Sequence, residues 1–178
     1  MKGLAIATLL LCALPSGSMA DKPRVSRAMI KDVEESLDNR LQKVWPDDPL
    51  QVVGLTQGAH IDGYGVVFMS EVNLAQGAGI SPFHPKFTPD EIKRMHDKKL
   101  ARLAQLKDLM TDMLVGSAKS LDALPADEQI TLGISLFYWN WENSTGLPAQ
   151  VVMHAPRRVL LQGKTAASDK LFITSEEF

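Results

Sequence analysis

The sequence predicts an α+β domain in which a four-stranded antiparallel sheet, built from two hairpins, carries a long amphipathic helix on one face. Three observations lead there. Apolar residues recur at steps of three and four over 25–45 and 88–114, they alternate over much of 50–74 and 129–154, and Pro, Gly or Asp-Gly punctuates the boundaries. An N-terminal helix and a short C-terminal helix complete the expected set.

The first 20 residues read as a secretory leader: Lys2, an apolar stretch from Leu4 to Leu14, then Ser18 and Ala20 as the small residues before a cleavage site. The apolar stretch falls short of the ~20 residues that span a bilayer, so cleavage after Ala20 is expected rather than anchoring, with no transmembrane segment left afterwards. Cys12 raises a lipoprotein reading, which is secondary because Leu11 stands where a lipid-attachment motif wants a small residue. The expected organisation is therefore a leader over 1–20 and one domain over 21–178, with a helix in 21–48, a core in 49–165 and a polar tail in 166–178. Loss of Cys12 with the leader leaves a chain without cysteine, which excludes thiol catalysis and cysteine-ligated metals there and makes the apolar core the source of stability.

From Val25 to Trp45, Met29, Ile30, Val33, Leu37, Leu41 and Val44 make one helical face, stopped by Pro46 and Pro49. Leu50–Ile61 and Tyr64–Leu74 read as a hairpin around Asp62-Gly63, with Gly54 and Gly58 bulging or weakening its first strand. Thr88-Pro89-Asp90-Glu91 is a capping box with proline at the first helical position. Behind it Ile92, Met95, Leu100, Leu103, Leu106, Met110, Met113 and Leu114 share a face, and Gly116 is the expected stop. Gln129–Trp141 alternates as a strand, Ala149–His154 is its expected hairpin partner, and Pro156 starts a short helix closed by Gly163.

Composition limits the function. Charged residues make up 22% and hydrophobic ones 45%, the balance of an ordinary globular chain of 178 residues. The 19 basic and 21 acidic residues provide no cationic field for a phosphate backbone, so nucleic acid is not an expected partner. Phosphate-cradling loops, His-Glu-x-x-His and Gly-x-Ser-x-Gly do not occur.

Several residues remain as candidates. Alternation sends Phe137, Trp139 and Trp141 to the side opposite Ile134 and Leu136, where the N-terminal helix covers them or a partner or ligand meets them. The 75–87 connection, with Phe83 and His84, reads first as a surface crossover pinned by Phe83 and Phe87 against the sheet edge, and it is also long enough for a binding loop. His60 and Asp62 would form a metal site with His154 only if the first and last strands paired. His96 reads as edge packing, Arg157-Arg158 as a weak anion site, and Asn143-Ser144-Thr145 as a glycosylation acceptor motif. These features favour an exported periplasmic or extracellular module that binds a protein or small molecule without catalysis, through Phe137, Trp139, Trp141, Phe83 and His84. The alternative is a small secreted hydrolase-like enzyme with its site between the 75–87 loop and the sheet, using His60, Asp62 or His84. No cofactor or metal is expected.

Overall fold

A computed structural model describes residues 24–77, 86–162 and 173–178. The leader with Cys12, the loop residues Phe83 and His84, and Gly163 lie outside them. Helix α1 (Arg27–Lys43) is followed by strands β1 (Gln51–Ile61) and β2 (Gly65–Asn73), and then by helix α2 (Pro89–Ser120). Strands β3 (Gln129–Leu136) and β4 (Gln150–Pro156), helix α3 (Arg157–Gln162) and strand β5 (Thr174–Glu177) complete the chain.

The α+β class holds, but the sheet corrects the expectation: among the described residues it has five strands in the order β1-β2-β3-β4-β5, and it is mixed. Strands β2 and β3 run parallel, from Gly65 beside Gln129 to Val72 beside Leu136, while the other pairs are antiparallel. The reason is α2. A helix of 32 residues, about 48 Å at 1.5 Å per residue, carries the chain back along the sheet, so β3 enters beside the start of β2. A crossover of this kind joins parallel strands, as a tight hairpin cannot. The fifth strand comes from the polar tail, where Thr174 to Glu177 pair with His154 to Val151.

The pleat sorts the side chains. Rows such as Phe68, Leu132 and Met153 face the helices and join Ile30, Val33, Leu37 and Leu41 of α1 and Leu106, Met110, Met113 and Leu114 of α2 in one core. In α2 the capping box is present in full, yet Gly116 does not end the helix. Ser117 and Ala118 are buried, so packing offsets the roughly 1 kcal/mol that an interior glycine costs.

Helix α1 lies against the edge strand β1 and stands in for a missing neighbour. Asp38 accepts from the Thr56 N–H at 2.9 Å and Glu34 from the Gly58 N–H at 2.6 Å, while Arg27 donates to the Gly58 carbonyl at 2.9 Å. Side chains thus satisfy part of an edge that would otherwise invite another strand. Gly58 permits this close approach, because a Cβ there would lie 2.5 Å from Ile30 and 2.7 Å from Phe68. The predicted bulge falls at Gly54, where the β1–β2 register shifts on both sides. In the hairpin turn only Gly63, at φ 76°, takes a positive φ; Asp62 does not, so the two-residue turn with both centres left-handed is replaced by a turn closed from Tyr64 N–H to Ile61 O at 3.0 Å.

Candidate functional site

The site is built where the parallel strands end. Chain leaving β2 at Asn73 and chain leaving β3 at Leu136 both emerge beside the third and fourth turns of α2. Two cations one turn apart on that helix each take the carbonyl just beyond one strand: Arg102 donates to Leu74 O at 2.6 Å, and Lys99 to Phe137 O at 3.4 Å. Arg102 also holds Asp48, at its carbonyl (2.6 Å) and its carboxylate (2.8 Å), and lies over the Trp45 ring at 4.3 Å. Lys98 pairs with the same carboxylate. The Lys98 hydrogen bond, with Arg102's charge beside it, holds Asp48 below its ordinary value against a smaller opposing effect of burial.

Lys99 pairs with Glu142, and the two side chains are 1% and 2% exposed. Burial pushes the Lys99 ammonium below its ordinary range, with Glu142 opposing. One Glu142 oxygen, Oε1, is buried without a hydrogen-bond partner. Beside the pair, Tyr138 lies 4.9 Å under the Lys99 ammonium and donates to Pro148 O at 2.7 Å. Burial, then the Glu142 charge, pushes its phenol up to about 12. Farther along the loop, His96 meets Asn143 O at 2.9 Å, and the Asn143 side chain accepts from Thr145 N–H at 3.0 Å. Residues 137–148 are therefore fastened across α2 at several points, and His96 is part of that fastening as well as packing at the helix edge.

This fastening breaks the expected alternation. Strand β3 stops at Leu136 and the chain turns, with Glu142 N–H donating to Trp139 O at 3.0 Å. Phe137 and Trp139 remain together as an edge-to-face pair at 4.9 Å, and Trp139 is 47% exposed. Trp141 is swung to the helix and stacks on Phe87 at 3.8 Å. The three rings thus do not form one strand face, and the packing partners of α1 are β1 and α2. Trp141 and Phe87, with Gly77, Glu91, Arg94, Met95 and Lys98, line a cavity of about 220 Å³. A Cβ on Gly77 would lie 3.2 Å from Trp141 and 3.3 Å from Met95, so the missing side chain keeps that wall open.

The other candidates are scattered. His60 shares a row with Val66, Ile130 and Ala155, whereas His154 shares the next row with Thr131, Val67 and Ala59. Adjacent rows face opposite sides of a sheet, and two strands intervene, so these histidines do not converge. Among the described residues no group of three or more His, Cys, Asp or Glu is placed to hold a metal ion. His60 instead lies between Asp62 at 3.7 Å and Glu128 at 3.5 Å, at the amino end of β2. That is one strand length from the cavity, about 30 Å for nine residues, so His60 and Asp62 cannot act together with the 75–77 segment. Arg157 donates to Ala118 O at 3.0 Å and Leu124 O at 3.1 Å, closing the carboxyl end of α2, and Arg158 pairs with Asp127 at 3.0 Å.

Sequence reasoning missed Lys99, Arg102 and Glu142. A signal existed: Lys99 and Arg102 share the apolar stripe of α2 with Leu103 and Leu106, and a charge on a buried stripe implies a buried partner.

Fold and site together define an α+β protein with a small aromatic-walled cavity at the carboxyl edge of its parallel strands, a position where open sheets with parallel strands commonly hold ligands. No family model, curated protein or solved structure matches the chain.

Proposed function

We propose that this protein is an exported, non-enzymatic module that binds a small ring-bearing ligand in the cavity walled by Trp141, Phe87 and Met95. The carrying observation is the stacked Trp141–Phe87 pair, half-buried against a recess of about 220 Å³ rather than closed into the core. Such a volume is below the ~300–1,000 Å³ of pockets for drug-sized compounds and suits one ring with a substituent. Two polar groups at the cavity already have structural roles, Glu91 in the capping box and Lys98 on Asp48. That favours recognition over chemistry.

Tryptophan emission and calorimetry with a panel of single-ring compounds test the reading. Trp141→Ala is expected to abolish the response while leaving the circular dichroism spectrum intact; full retention of binding would remove the cavity from consideration. The export half is tested separately, by fractionating cells that express the whole chain and sequencing the mature N-terminus, which is expected to begin at Asp21. A cytoplasmic, uncleaved product would refute it.

A further inference from the structure

We infer that the ligand is an organic anion, a ring bearing a carboxylate, and that Arg94 recognises its charge. The inference rests on the cavity reading above and adds its chemistry. Along α2 the cations have acidic partners: Lys93 with Asp97, Lys98 with Asp48, Lys99 with Glu142, Arg102 with Asp48 and Lys107 with Glu177. Arg94 is the exception over that stretch. It has no ion pair or hydrogen bond among the described residues, although it lines the cavity one turn before Lys98.

The surrounding groups point the same way. Glu91 also lines the recess, but its Oε2 accepts from the Thr88 N–H and hydroxyl, both at 2.8 Å, which directs that carboxylate to the helix start. Lys98, held on Asp48, adds positive charge to the same wall. A guanidinium presents a planar fork that matches a carboxylate bidentately, and the bond is charge-assisted. With apolar walls of Trp141, Phe87 and Met95 beside that fork, the ligand that satisfies both is a flat apolar body with an anionic end.

Three probes decide it, titrated at low ionic strength into the full mature chain: phenylacetate, its neutral isostere phenylacetamide, and acetate. Phenylacetate is expected to bind about tenfold or more tightly than the amide, as one charge-assisted contact implies, with acetate weaker than either. Arg94→Gln is expected to erase the preference for acid over amide without moving the melting temperature, and Trp141→Ala to weaken both ring compounds. Equal affinity for acid and amide, or an unchanged preference in Arg94→Gln, overturns the charge assignment while the cavity reading stands. No binding by either ring compound at millimolar concentration, with tryptophan emission unmoved, overturns both.

Discussion

Glu34 on α1 and Glu142 in the loop after β3 are both buried carboxylates with a cationic partner, but they solve different problems. Glu34 has both oxygens engaged, accepting from Gly58 N–H and from Arg27 at 2.8 and 3.2 Å, and its arginine is 63% exposed. Glu142 faces a lysine that is only 1% exposed and keeps Oε1 unpartnered. The first carboxylate completes backbone hydrogen bonding at a sheet edge and is satisfied. The second pins a loop, through a pair whose desolvation is only partly repaid. Glu142 Oε1 is one of several buried polar atoms without a hydrogen-bond partner among the described residues, and it adjoins the cavity.

The largest expected effect tests this contrast. Lys99→Ala leaves Glu142 buried without its cation and should cost about 3–5 kcal/mol of stability in urea unfolding. Replacing both partners, Lys99→Met with Glu142→Leu, should recover most of that loss yet still impair ligand binding, because the loop is no longer drawn to the helix by charge. A double variant as unstable as the single one would mean that the pair is a net stabiliser. Glu34→Ala should cost about 1–3 kcal/mol, the penalty for orphaning the Gly58 N–H. It should also raise self-association in light scattering as part of β1 loses its cover; scattering unchanged from the parent chain would argue that α1 does not guard the edge.

Thr88→Ala removes the cap of α2 and should cost about 1 kcal/mol. The loss should be accompanied by weaker ligand binding, since the capped turn also carries the cavity wall. A spectrophotometric pH titration probes the loop with the smallest perturbation. Because the Tyr138 phenol is raised to about 12 from a usual value near 10, the folded state holds its proton more tightly than the unfolded one. That contribution to stability is fully present below about pH 10 and is lost as pH rises through about 12. Glu142→Gln should lower the midpoint without returning it to the usual value, because burial is the larger cause; a full return would give the carboxylate the leading role.

Most of the architecture was legible where neighbours in sequence are also neighbours in space. Ile30, Val33, Leu37 and Leu41 announced α1 by their spacing, and Thr88 with Glu91 marked the start of α2 within one turn. The candidate site was legible only in part. Its aromatic residues stood out, but alternation carried past Leu136 placed Trp141 beside Phe137 and Trp139, when the chain in fact turns away.

By itself the sequence determined what local forces determine: helical and strand periods, the capping box, and the glycine turn at Gly63. Tertiary structure alone decided that β2 and β3 run parallel, that a polar tail supplies β5, and that Trp141 meets Phe87. The reason is range. Lys99 and Glu142 are 43 residues apart, and the free energy of burying each depends on the other's position, which no pattern within a short window contains.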